Sequence, residues 1–260
     1  MFIPFKISVG EIDKLQTPSP LTLINFDSRK KDVQKFLKSK INVCGGIIDA
    51  NDIKQGWLPV KSNYHVFISY SHDDKSKAEK LASWLESHGV SCFLDAYYWN
   101  NADDLLRIID DARCKNSNGE TYNYKKRNYS TSLIHALLSM AIMEAIEKCD
   151  FGLFIESRNS LILDLDNIHS YTLSPWIYEE LNIMTSIQKR IPSWLNKCKI
   201  KMFSQKMIYE SATPIPVKFT VPLDRLADLK ASELMKPQGE GETWLRNFVK
   251  YYASKFQDIL

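Results

Sequence analysis

None of the five cysteines, Cys44, Cys92, Cys114, Cys149 and Cys198, stands at a paired spacing. An odd count without a CxxC pair argues against a disulfide framework or a zinc site, and fits a reducing cytosol. Neither sign of charge dominates: 34 Lys and Arg oppose 31 Asp and Glu, a net +3. No nucleic acid partner is expected, and the short basic runs Lys125-Lys126-Arg127 and Lys197–Lys201 read as solvated faces. Long apolar runs are lacking too. The most apolar helical stretch, Leu133–Ile146, reads as too short to span a bilayer and carries His135 and Glu144. The opening Met1–Lys6 has neither the long apolar segment nor the small-residue cleavage site of a signal peptide. A cytoplasmic protein without a membrane partner is the expectation. Nor is there a Gly-rich phosphate loop, an HExxH, a Ser-His-Asp order or a metal-type cluster, so redox cofactors and metallohydrolysis are not expected.

What is present is an ordinary globular composition, 44% hydrophobic and 25% charged over 260 residues, enough for one elaborated domain or two small ones. The central segment alternates between strand and helix patterns: 65–70, 75–87, 90–95, 103–112, 131–148, 151–156 and 175–189. That alternation predicts a parallel sheet with helices on both faces. Over 131–148, Ile134, Leu137, Leu138, Ala141, Ile142, Ala145 and Ile146 recur at helical spacing, a stripe that reads as core, so His135 and the methionines receive no catalytic role. Cys92 reads as packed in a strand.

The most informative junction is Val66-Phe67-Ile68-Ser69-Tyr70-Ser71-His72-Asp73-Asp74, an apolar strand that stops in hydroxyls and carboxylates just before a helix. In open α/β sheets ligands bind where strand carboxyl ends give way to loops. A plain N-cap cluster explains the same residues. A second strand, Val90–Asp95, follows the C-cap Gly89 and opens into the aromatic loop Ala96-Tyr97-Tyr98-Trp99-Asn100-Asn101. Further on, Phe151–Ile155 precedes Ser174-Pro175-Trp176-Ile177-Tyr178-Glu179-Glu180, with Pro at an early helical position.

This series resembles a Toll/interleukin-1 receptor (TIR) domain over roughly residues 64–190. The matching pieces are Phe67–Ser71 with Asp73 or Asp74, Phe93-Leu94-Asp95, and Ser174-Pro175-Trp176 with Glu180 four residues past the tryptophan. The loop from Asp95 to Asp103 is similar to that of bacterial antiviral TIR proteins of the Thoeris type. The resemblance implies a flavodoxin-like α/β fold with a central parallel sheet and helices on both faces, plus N- and C-terminal extensions. It divides the chain into an extension over 1–60, a TIR domain over 61–190 with an insertion at 113–131, and an extension over 191–260 packed on the core.

It further implies an enzyme that cleaves the nicotinamide–ribose bond of NAD⁺, giving nicotinamide and ADP-ribose or a cyclic ADP-ribose-type signal in anti-phage defence. NAD⁺ is then the substrate and no cofactor is needed. Glu180 is the implied catalytic carboxylate. Cleavage builds positive charge on the ribose, which a fixed carboxylate stabilises; nicotinamide leaves neutral, so one carboxylate suffices. Glu179 is its neighbour, about 100° away around the helix. Ser69, Tyr70, Ser71, Asp95, Tyr98, Trp99, Asn100 and Trp176 are the implied substrate-binding residues, with Tyr98 and Trp99 suited to stack on a cationic ring. Asn101 stands where such loops usually carry glycine, and asparagine tolerates the left-handed backbone. Self-association into an oligomer or head-to-tail filament is implied, with a downstream effector that senses the product. Two readings remain beside this one: a non-catalytic TIR scaffold acting by self-association, and a nucleoside deoxyribosyltransferase-like enzyme.

In the flanks, 21–26 reads as a strand, Ser28–Lys38 as a charged helix, 43–48 as a loop or short strand, Lys199–Met207 and Val217–Val221 as strands, and Trp244–Phe256 as a closing amphipathic helix. The insertion, with Tyr122, Tyr124 and Tyr129, reads as either a functional lid or a self-packed flap.

Overall fold

The computed structural model describes residues 2–16, 64–94, 102–164, 169–187 and 218–256. The readings of 21–26, Ser28–Lys38, 43–48 and Lys199–Met207, and the loop residues Asp95 to Asn101, lie outside them. The chain divides into two compact units, one drawn from Met1–Pro20, Ser62–Leu94 and Ile146–Leu260, the other from Leu21–Lys61 and Asp95–Ala145.

The first unit is built on a parallel sheet of β1 (Ile3–Ser8), β2 (Val66–Ser69), β3 (Cys92–Leu94), β4 (Phe151–Glu156) and β8 (Ala227–Asp228), in the order β3-β2-β4-β1-β8. All five strands are parallel, so the expected α/β, flavodoxin-like sheet is present. Residues 3–8, read from sequence as part of an extension, instead form a strand between β4 and β8. Pro4 did not prevent this. The Lys6 carbonyl accepts from Leu229 N at 2.9 Å, so Pro4, two residues earlier, also turns its backbone toward the β8 side. There β8 pairs only with Phe5 and Lys6, and the missing N–H of proline costs no ladder bond.

Helices cover both faces, and strand alternation tells which residues meet them. Phe5 and Phe151 turn toward α7 (Gly241–Phe256): Phe248 lies 5.6 Å from Phe5 and 5.1 Å from Phe151 between ring centroids. Trp244, Leu245, Phe248, Val249 and Tyr252 form the buried stripe of that helix. Beside it runs α2 (Lys75–Ser87), which buries Ala78, Leu81, Ala82, Trp84 and Leu85. Gly89 ends α2 with φ +73°, and a Cβ there would stand 2.7 Å from Gly241 N, the first residue of α7. Only glycine meets both demands. On the opposite face Gly152 admits Met184 of α5 (Pro175–Ser186): a Cβ at 152 would stand 2.6 Å from Met184 Cε and 2.7 Å from Phe2 Cζ.

Between β4 and α5 the sequence reading had only a loop. The chain there forms β5 (Ile162–Asp164) and β6 (His169–Thr172), an antiparallel pair completed by β7 (Phe219–Thr220). Phe219 stacks on Tyr178 of α5 with centroids 4.9 Å apart, so this small sheet covers the outer side of the helix.

The second unit contains α3 (Ala102–Ile109), which runs on into a π-helical turn, Asp110–Cys114, and then α4 (Tyr124–Lys148). The insertion is therefore half helix: α4 begins at 124, not 131. At 25 residues it is also long and apolar enough to cross a membrane by length and composition, which corrects the shorter helix read from sequence. The rest of the insertion is a self-bonded flap, held by the Lys115–Tyr122 bridge and by Asn116 Nδ2 donating to Thr121 Oγ1 at 2.9 Å. Tyr122 donates to Asp111 Oδ1 at 2.6 Å, which holds that carboxyl below the usual range and pushes the phenol up. Buried Asp110 accepts from Ser130 Oγ at 2.5 Å and from Arg127 Nε at 2.9 Å, fixing the turn to the first coils of α4.

Candidate functional site

The site builds from the end of β2. Strand pairing sets Ser69 opposite Phe154, two residues along β4 from Gly152. In a parallel pair, opposed residues share a face, and alternation gives Phe154 the face of Gly152, the one covered by α5. Ser69 therefore turns its hydroxyl toward α5. It is wholly buried, and its Oγ has no hydrogen-bond partner among the described residues. A buried hydroxyl in that state is uncommon and asks for an explanation.

Above it, Ser174 caps α5 by accepting from Ile177 N at 3.3 Å, with Pro175 next, as the sequence pattern predicts. Trp176, Glu180 and Met184 follow at four-residue spacing and form one stripe. Met184 rests on Gly152, which fixes the stripe against the sheet. α5 belongs to a crossover between parallel strands and runs back along β4. One turn before Met184, a rise of about 6 Å, Glu180 comes level with a residue about two further along β4, which is Phe154. The register then brings Ser69 to the same level. Trp176, half-buried, falls one turn further out, past the strand ends.

Glu180 is 0% exposed, Ser69 0% and Tyr70 3%, while Ser71 is only half-buried. Glu179, placed on another face in the sequence reading, is buried as well, at 5%. By this register Ser69, Glu180 and Trp176 fall on the α5 side of the sheet, whereas nothing in it brings Tyr70 or Ser71 to that layer. Asp95, Tyr98, Trp99 and Asn100 lie outside the described residues.

Two contributions escaped the sequence reading. Asp74, 6% exposed, bridges two strand ends: its Oδ2 accepts from Ser157 Oγ and its Oδ1 from Asn159 Nδ2 at 2.8 Å. Ser157 Oγ in turn accepts from the backbone N–H groups of Asn159 and Ser160, both at 3.0 Å. The loop after β2 and the loop after β4 are therefore one fixed floor. Its signal in the sequence was Asp74 with Ser157-Arg158-Asn159-Ser160, legible only once β2 and β4 are known to adjoin. The second is Lys6, which shares its row with Phe154 and hence the α5 face, and pairs with Asp228 at 3.4 Å.

The TIR domain model matches residues 66–118, from the first residue of β2 into the flap. The chain carries a TIR domain, and its central parallel sheet of five strands flanked by helices is the flavodoxin-like fold of that class. The match stops before α5, so the assignment of Glu180 rests on the sheet geometry and the Ser174-Pro175-Trp176 motif alone. Comparison with curated proteins and with solved structures finds no match.

Proposed function

We propose that this TIR domain cleaves NAD⁺ at the nicotinamide–ribose bond, with Glu180 as the catalytic carboxylate. The observation that carries the reading is the buried Ser69 Oγ, without a partner among the described residues, on the sheet face covered by α5 with its wholly buried Glu180. TIR domains include NAD-cleaving enzymes and scaffolds, and a buried hydroxyl without a partner among the described residues suits a site that takes a ligand. Charged side chains are rarely wholly buried, because desolvation costs several kcal/mol per ion (about). In the reaction the C1′–N bond breaks, both electrons leave with neutral nicotinamide, and the ribose becomes oxocarbenium-like. The carboxylate stabilises that charge. Water then adds at C1′ and releases a proton to give ADP-ribose, or an adenine nitrogen closes a cyclic product. A role in bacterial anti-phage defence of the Thoeris type, in the cytoplasm, rests on the loop and motif resemblance.

One observation favours a second reading. Ser69, Tyr70 and Glu180 are all enclosed, which suits a scaffold that keeps the residues for packing. Nicotinamide release from NAD⁺ by the pure protein separates the two. For the enzyme, Glu180→Gln lowers turnover at least about 100-fold, the scale of losing one fixed electrostatic partner, while Glu179→Gln retains turnover per folded molecule. No release by the parent protein, or equal release by Glu180→Gln, overturns the enzymatic reading.

A further inference from the structure

α4 has two apolar faces. One is the buried stripe through Ile134, Leu138, Ala141 and Ala145. The other is exposed: Tyr129 is 74%, Met140 50% and Met143 47% exposed, and Ser132 and Ala136 between them are exposed as well. At 100° per residue, Tyr129, Ser132, Ala136, Met140 and Met143 fall within about 40° of the direction of Ala136, one straight stripe. The stripe is also palindromic. Tyr129 and Met143 stand seven residues on either side of Ala136, and Ser132 and Met140 stand four on either side.

We propose that this face pairs with the same face of a second copy, antiparallel, about a two-fold axis through Ala136. An isologous contact requires a patch complementary to its own half-turn, and this one is. Each Met140 meets the small Ser132 of the other copy, each Tyr129 meets a Met143, a favourable sulfur–aromatic pair, and alanine meets alanine on the axis, where backbones must approach. Charge follows the same symmetry. Lys125 and Glu147, both exposed on the same helix, are eleven residues on either side of Ala136, so each end brings a cation against an anion. The helix is about 37 Å long, and a face about 10 Å wide gives roughly 370 Å² per copy, the size of a weak, transient contact. The dimer is therefore weak and reversible. A membrane surface is the other apolar partner, but a stripe containing Ser132 and flanked by Lys125 and Glu147 fits a second copy better.

Sedimentation velocity of the full chain from about 1 to 200 µM tests this. Mass rises to twice that of the monomer, and Ala136→Glu, which sets two like charges together on the axis, raises Kd at least tenfold with unchanged circular dichroism. Lys125→Glu weakens the dimer about three- to tenfold, two exposed pairs being lost, and adding Glu147→Lys restores it. Against the parent as a control for native cysteines, Ala136→Cys forms a disulfide with itself on mild oxidation. Tyr129→Cys crosslinks only when mixed with Met143→Cys. A monomer throughout, a dimer indifferent to Ala136→Glu, crosslinking of Tyr129→Cys alone, or a monomer that loses binding to anionic vesicles through Ala136→Glu each overturns the proposal.

Discussion

Asp74→Asn alters one oxygen to nitrogen in the floor of the site, and the hydrogen bonds around it set the cost. The carboxylate accepts from Asn159 Nδ2 through Oδ1 and from Ser157 Oγ through Oδ2. An amide keeps one acceptor and aims an N–H₂ at the other donor. If that donor is Asn159, two N–H₂ groups face each other. If it is Ser157, the hydroxyl must accept, yet its oxygen already accepts from the N–H groups of Asn159 and Ser160. Either way one charge-assisted bond is lost and one donor remains buried, a cost of about 1.5–3 kcal/mol. Urea denaturation followed by tryptophan fluorescence reports it, since Trp84 and Trp244 are buried in the same unit. Ser157→Ala in the Asp74→Asn background should cost much less than in the parent, a coupling of about 1 kcal/mol or more. NAD⁺ cleavage should fall as the two loops separate. A variant within about 0.5 kcal/mol of the parent, the range of ordinary surface substitutions, or additive effects in the double variant, would refute the claim that Asp74 ties the two strand ends together.

Gly89→Ala must place a Cβ at φ +73°, 2.7 Å from Gly241 N. Its expected cost is about 2–4 kcal/mol from the left-handed backbone and the clash together, read as a lowered denaturation midpoint, whereas Gly119→Ala, with φ +71° and open space around it, shows only the backbone part. Lys77 donates to Asp13 and holds its carboxyl below the ordinary 3.8. The stability this adds is present above that value and is lost as pH falls through the lowered one, so the melting curves of the parent and Asp13→Asn should draw together as pH falls below 3.8. A constant difference down to pH 2 would contradict the assignment.

Much of the first unit was legible in the sequence because its signals are local. The helix over 75–87 announces itself by apolar spacing and by Gly89, and α5 by Ser174 and Pro175; both appear where expected. Phe151–Ile155 is apolar without interruption, the mark of a strand buried on both faces. β1 failed that test because Ile3-Pro4-Phe5-Lys6-Ile7-Ser8 mixes proline and lysine into a strand, and only its place beside the two-residue β8 makes Pro4 harmless. The hairpin over 162–172 was missed for a similar reason: its third strand comes from 219–220, and nothing near Ile162 shows that. α4 was begun too late because Tyr124–Ser130 is polar and was read with the flap. At the site, Ser69 and Glu180 were legible as types and positions. That they share a level could not be read, since it depends on the register of β2 with β4 and on Met184 meeting Gly152.

The placement of β1 between β4 and β8 also dictates an order of events during synthesis. Residues 3–8 leave the ribosome well before their partners, 151–156 and 227–228, which follow roughly 150 and 220 residues later. Until then Ile3, Phe5 and Ile7 have no strand to lie against, although all are buried in the finished sheet. β2, β3 and β4 can pair among themselves first, leaving one edge of β4 open as a slot. Insertion of the early strand into that slot is a contact of very long range and hence slow. The open edge of β4 is in the meantime a point at which a nascent chain of this protein is exposed to pairing with a neighbour.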